Sequence, residues 1–244
     1  MPDGACPATR PTAPTAEALR VGGLVPLTTL DYPGELAAVV FCQGCPWWCR
    51  YCHNGHLLEA TERPPFTWAR IEGFLRQRQG LLDAVVFSGG EPTAQTALTA
   101  ALQAVRALGY KIGLHTSGAY PEHLPAILPF IDWVGLDIKA LPEDYPAITR
   151  VPASGQRAWE TLEILVGAGV DLEVRTTLMP NWTPDYVRCL SERLADAGVR
   201  HYALQVCTLA HALDPSLPLY STPPQTLASA VDPNCFARLE VRGL

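Results

Sequence analysis

The sequence is short of positive charge. Lys and Arg together number 18 against 24 Asp and Glu, giving a formal net charge of −6, and no basic stretch occurs. Without one, a nucleic-acid partner is not expected. Long apolar runs are also missing. The longest, such as Leu36–Cys42, have strand length and fall far short of the ~20 residues of a membrane span. Residues 1–20 hold no apolar core of the signal-peptide kind. These exclusions lead to the expectation of a soluble, cytoplasmic protein with no membrane partner. No internal repeat is visible.

What is present is a full globular composition. The 244 residues are 48% hydrophobic, enough for one large domain of the α/β-barrel type, which runs to roughly 200–250 residues. Eight cysteines occur, and four of them, Cys42, Cys45, Cys49 and Cys52, crowd into eleven positions. A disulfide framework belongs to small secreted domains, so metal or redox chemistry is the better reading here. Cys45, Cys49 and Cys52 follow C-x3-C-x2-C. Three thiolates at that spacing can hold three irons of a [4Fe–4S] cube and leave the fourth iron open, whereas cluster ligation usually takes four cysteines. With Cys42 included, the spacing is equally compatible with a structural zinc site. Cys189 is expected in the core, and Cys6, Cys207 and Cys235 have no partners by spacing. No second cysteine cluster of ferredoxin type is evident.

Along the chain, residues 1–20 are rich in Pro, Ala and Thr and are expected to be a disordered leader. From residue 36 apolar strands alternate with amphipathic helices. Strands are expected at 36–41, 84–87, 111–115, 133–138, 172–178 and 201–206. Helices are expected at 67–79, from 98, at about 121–129 (weakly), at 157–167 and from Pro184. Val21–Asp31 fits an edge strand or hairpin and Ala237–Val241 a further strand. Six βα-like units imply a parallel sheet curling one way, a partial (β/α)6 barrel over residues 21–206. Residues 207–244 would be an extension packed on it. In such a fold function gathers where strands end. The polar clusters fall at those ends: the cysteine loop, Gly89-Gly90-Glu91, Thr116-Ser117, Asp137 with Lys139, and Arg175.

The cysteine loop, with Tyr51 before its last cysteine, and Ser88-Gly89-Gly90-Glu91-Pro92 resemble the radical S-adenosylmethionine (SAM) superfamily. The chain is most similar there to glycyl-radical activating enzymes. Val21–Gly34, Cys52-His53-Asn54 and Gly135–Ala140 look like the longer form of the anaerobic ribonucleoside-triphosphate reductase activating proteins. The resemblance implies a TIM-like partial barrel with a [4Fe–4S] cluster on Cys45, Cys49 and Cys52 and SAM at the mouth. Tyr51, Gly89, Gly90, Glu91, Ser117, Asp137, Lys139 and Arg175 would contact or frame the cofactor. It also implies reductive SAM cleavage and hydrogen abstraction from a glycine of a partner glycyl-radical protein, an anaerobic ribonucleotide reductase. Electrons would come from an external flavodoxin or ferredoxin. One position departs from the pattern: His115 stands where such enzymes often carry Asp, which puts any monovalent-cation site in doubt. Gln205 stands where relatives can offer a His to the cofactor. Two other functions fit parts of the sequence: radical SAM chemistry on a small molecule such as a deazapurine precursor, and a non-catalytic metal-binding interaction protein.

Overall fold

The computed structural model describes residues 14–243. Its strands are β1 (Val21–Thr28), β2 (Ala37–Cys42), β3 (Ala84–Gly89), β4 (Lys111–Thr116), β5 (Trp133–Asp137), β6 (Asp171–Leu178), β7 (His201–Val206) and β8 (Arg238–Arg242). The helices are α1 (Trp68–Gln77), α2 (Leu98–Ala107), α3 (Leu124–Ile127), α4 (Tyr145–Thr149), α5 (Ser154–Ala168), α6 (Pro184–Asp196) and α7 (Pro224–Ala228). The eight strands form one sheet in sequence order. β1 is antiparallel to β2, and every later pair is parallel. Sequential parallel order with crossovers of one hand curls the sheet into a partial barrel.

The strand sequences explain both faces of that sheet. β2 is apolar at every position and almost wholly buried, as a strand covered on both sides must be. Alternate residues separate into two cores. Ala38, Val40, Val85, Phe87, Val134, Leu136 and Val174 join the large cluster under the helices. Ala37, Val39, Ala84, Val86 and Trp133 face inward and form a small separate cluster with Tyr32. Tyr32 rises into the barrel from the β1–β2 loop and stacks on Trp133 with ring centroids 5.3 Å apart. This pair closes the barrel floor.

Helix ends follow local chemistry. Thr183 caps α6 by accepting from the Tyr186 N–H at 3.3 Å, and Pro184 takes the first helical position, where no N–H is needed. The weak helix expected at 121–129 is broken into two 3₁₀ turns around α3. Pro121, Pro125 and Pro129 remove backbone donors at four-residue intervals.

Residues 16–20 are anchored to the barrel: Ala16 and Leu19 are buried, and the Gln95 amide bonds both the N–H and the carbonyl of Arg20. Residues 1–13 lie outside the described residues. The segment after 206 contributes a true strand, β8, to the sheet. Cys189 is exposed, because the buried stripe of α6 runs through Val187, Leu190, Ser191 and Leu194. α4 was not anticipated. No helix among the described residues is long and apolar enough to cross a membrane.

Candidate active site

The C-terminal strand ends surround a cavity of 460 Å³, a size typical of small-molecule sites. Cys45, Cys49 and Cys52 line it together with Tyr51, Gly89, Gly90, Ser117, Asp137 and Lys139. Nine of the eleven residues singled out in the sequence therefore meet at one mouth. Glu91 and Arg175 do not reach it.

The cysteine loop is built by backbone bonds. Gly44 N–H donates to the Leu57 carbonyl at 2.8 Å and Cys45 N–H to the Leu58 carbonyl at 3.0 Å. Trp47 is buried with its ring edge-on to Tyr145, while Trp48 is 46% exposed beside it. Burial pushes the Cys45 thiol up to about 12, with the charge of Glu91 adding to the effect, and burial also raises Cys49. A metal cluster takes thiolates and reverses that balance. Cys42 is fully buried in the helix-facing core and does not line the cavity. Among the described residues no three His, Cys, Asp or Glu side chains converge on a single ion. A tetrahedral zinc site would need sulfurs about 3.8 Å apart, given Zn–S bonds of about 2.3 Å. Three thiols ringed around one cavity, with Cys42 turned away, fit the wider cube.

The glycine turn is shaped by its neighbour. Gly89 has φ +116°, and a Cβ there would lie 2.4 Å from the Cys42 carbonyl oxygen. A Cβ on Gly90 would lie 2.4 Å from the Gly44 oxygen. The two glycines thus let the turn press against the cysteine loop, and Gly90 N–H and Glu91 N–H bond to Cys42 and Gly44 carbonyls.

Glu91 is fully buried behind this turn. Oε1 accepts from Thr93 N–H (3.1 Å), Thr93 Oγ1 (2.7 Å) and Thr116 Oγ1 (2.8 Å). Oε2 accepts from Ser117 N–H (2.7 Å) and Ser117 Oγ (2.5 Å). A direct contact between Glu91 and a ligand, one of the two roles expected of it, is not what the geometry provides. It ties the ends of β3 and β4 together and so orders the mouth. Ser117 lines the cavity with its hydroxyl already committed to Glu91.

Asp137 and Lys139 alternate with buried Ile138, so both point inward as expected, with Lys139 Nζ 3.3 Å from Asp137. Lys139 is one of only two lysines in the chain. Burial opposes its charge, but Tyr51, Asp137 and Cys49 outweigh that and hold its pKa well above the usual lysine value. Its Nζ stands 5.5 Å from the Tyr51 ring centroid.

Arg175 faces inward but one row too deep. The row that rims the mouth runs through Thr177, Gln205 and Arg242, which are partners across β6, β7 and β8. Arg175 lies below it, stacked 5.2 Å from the Trp133 ring and bonded to Glu173 at 2.7 Å. Its guanidinium lies over Gly135, where a Cβ would come within 2.8 Å. Arg242 takes the place at the cavity that the sequence suggested for Arg175. It donates to both Glu173 oxygens at 2.9 and 2.8 Å and to Glu240 at 2.6 Å. His115 lines the cavity with Nε2 2.8 Å from the Asp31 carbonyl and 3.2 Å from Arg175. Burial and the Arg175 charge hold it well below its usual pKa, so it is neutral. Thr177 and Arg242 were missed in the sequence. The alternation of Arg238-Leu-Glu-Val-Arg242 was the available signal.

The cavity and its loops have counterparts in known proteins. Over 168 residues the chain is 30% identical to the "Putative glycyl-radical enzyme activating enzyme" of Methanocaldococcus jannaschii, covering 66% of this chain and 68% of that protein. It is 29% identical over 171 residues to the pyruvate formate-lyase-activating enzyme of Clostridium pasteurianum, covering 67% and 70%. The crystal structure of Streptococcus suis SuiB bound to precursor peptide SuiA superposes with a TM-score of 0.66 at 16% identity over 88% of this chain. This chain spans half the length of SuiB, and the likeness is one of fold. Residues 39–194, from β2 through most of α6, match the model of the radical SAM superfamily. The chain belongs to that superfamily, whose chemistry uses a [4Fe–4S] cluster and S-adenosylmethionine.

Proposed function

We propose that the protein is an activase that takes a hydrogen from a glycine Cα of an anaerobic ribonucleoside-triphosphate reductase and leaves a glycyl radical there. The carrying observation is the charge balance of the far cavity wall. Thr177 and Gln205 present a neutral hydroxyl and amide, and the one cation, Arg242, is already claimed by Glu173 and Glu240. Such a wall suits an uncharged main-chain segment better than a carboxylated or phosphorylated metabolite. The similarity to glycyl-radical activating enzymes and the segments Thr28–Gly34 and Gly135–Ala140 support the same choice.

Bound by Cys45, Cys49 and Cys52, the cluster with SAM would supply the electron that cleaves a sulfonium carbon–sulfur bond and yields a 5′-deoxyadenosyl radical. The remaining work falls to the chain. Gly89 and Gly90 let their turn pack against the cysteine loop, which holds in place the wall on which the cofactor would lie. Lys139 offers a fixed positive charge to a carboxylate and Asp137 an acceptor to an ammonium. Tyr51 and Trp47 shield the loop from water. Electrons would be delivered from outside by a flavodoxin or ferredoxin.

The test is anaerobic. Reconstituted protein, SAM, a reductant and the reductase are combined and an EPR spectrum is recorded. A glycyl doublet is expected. SAM cleavage with no doublet would overturn the proposal, and cleavage stimulated by a deazapurine precursor instead of the reductase would replace it with small-molecule chemistry. Replacing Cys45, Cys49 or Cys52 by Ala is expected to abolish SAM cleavage, measured as 5′-deoxyadenosine.

A further inference from the structure

We infer that Asp214, on the irregular segment after β7, is a positioning residue that holds the cysteine loop in its cluster-binding shape. The loop between Trp48 and Cys52 runs between two other stretches of backbone, neither of them in the barrel sheet. On one side Trp48 N–H and Arg50 N–H donate to the carbonyls of Thr149 and Ile148, both at 3.0 Å. On the other, Leu213 N–H donates to the Cys52 carbonyl at 3.1 Å and Asp214 N–H to the Arg50 carbonyl at 2.8 Å. Arg50, lying between Cys49 and Cys52, is therefore gripped through both its backbone groups.

The side chain of Asp214 locks the three stretches together. Asp214 is 7% exposed. Its Oδ2 accepts from Arg50 Nε and from Arg150 Nη2, each at 2.8 Å. Its Oδ1 accepts from Ser216 N–H at 2.9 Å and Ser216 Oγ at 2.6 Å. One buried carboxylate thus joins the cysteine loop, the turn after α4 and the C-terminal segment. Arg150 has φ +61°, a left-handed conformation that a non-glycine residue adopts only when its surroundings hold it. A further tie runs from the same segment, with His53 Nε2 2.9 Å from the Thr208 carbonyl.

Asp214 is not a ligand itself. It acts through Arg50, which sets how far apart Cys49 and Cys52 are presented. Residues that orient metal ligands are worth about 10–100-fold in metal affinity. Asp214 also lies outside residues 39–194, the stretch shared with the superfamily. The clamp is therefore a contribution of the C-terminal segment, and it holds whichever substrate the enzyme takes.

The experiment compares cluster-loaded full-length wild type, Asp214→Asn and Arg150→Gln under anaerobic conditions. Iron release to a ferrous chelator and the EPR spectrum of the reduced cluster, with and without SAM, are recorded. Asp214→Asn is expected to release iron about 10–100-fold faster and to change the EPR line shape. Arg150→Gln removes one of the two arginine bonds and is expected to move both readouts in the same direction by less. It also keeps the test open should Asp214→Asn fold poorly. Unchanged iron release and EPR in both variants, or a lower unfolding midpoint of the cluster-free protein with no change in either readout, would overturn the inference.

Discussion

Two buried carboxylates sit in one barrel and are held in opposite ways. Glu91, buried behind the mouth, accepts five hydrogen bonds, all from neutral donors of Thr93, Thr116 and Ser117. Glu173, deeper in the barrel, is bonded by the guanidinium groups of Arg175 and Arg242. Dipoles fix a charge without cancelling it, whereas ion pairs cancel it. Burial is the main reason that the pKa values of Cys42, Cys45 and Tyr120 are raised, and the field of Glu91, which still reaches its surroundings, adds to each. A fixed negative charge behind the glycine turn favours a ligand that carries ammonium and sulfonium groups, as SAM does. The neutralised wall across the cavity favours one that carries no charge.

Glu173→Gln would leave two inward arginines short of a countercharge. Removing one partner of a buried pair costs about 3–5 kcal/mol, to be read as a lower urea midpoint at unchanged slope. Glu91→Gln is expected to cost less, about 2 kcal/mol, because an amide NH₂ would face donors on one side and leave them unpaired. It should also weaken SAM binding by about tenfold, from a lost charge worth about 1.4 kcal/mol, seen by titration of the cluster EPR signal. Glu173→Gln should move SAM affinity far less. Equal effects on SAM from both variants would erase the distinction drawn between them.

A pH series sharpens the same contrast. His115 borders the Glu173 ladder, and its folded pKa lies well below the usual histidine value of about 6.5. Below that pH the unfolded chain binds a proton that the folded protein does not, so stability falls as pH falls. The loss is at most about 1.4 kcal/mol per pH unit and is fully absent above the unfolded pKa. Replacing His115 by Gln is expected to remove that slope between about pH 6.5 and 5, a window clear of ordinary carboxylate titration. The smallest expected effect is that of Ser117→Ala. It deletes one hydroxyl donor of five, about 1 kcal/mol, with faster amide exchange at Gly118 and Ser117 as the local sign.

The barrel strands β2 to β7 were legible because each carries a short stretch of apolar residues, and their ends fall within one or two residues of expectation. The alternation of Asp137 and Lys139 about Ile138 also put both on the inward face. Depth was not legible. A period of two assigns a side to each residue, but the row it occupies depends on the register between strands, and Arg175 lands one row below Thr177. The saturation of Glu91 was hidden for a related reason: three of its five donors come from the end of the next strand, 25 and 26 residues away. The clamp on the cysteine loop was hidden most completely. Residues 207–222 carry no periodic pattern, and Asp214 reaches Arg50 across 164 residues.

The stack of Tyr32 on Trp133 makes the barrel a cup and not a pipe. With that floor filled, a cofactor seated beside the cysteine loop could not be approached from below, and whatever acts on it would have to come from the mouth above or from the open side between β1 and β8.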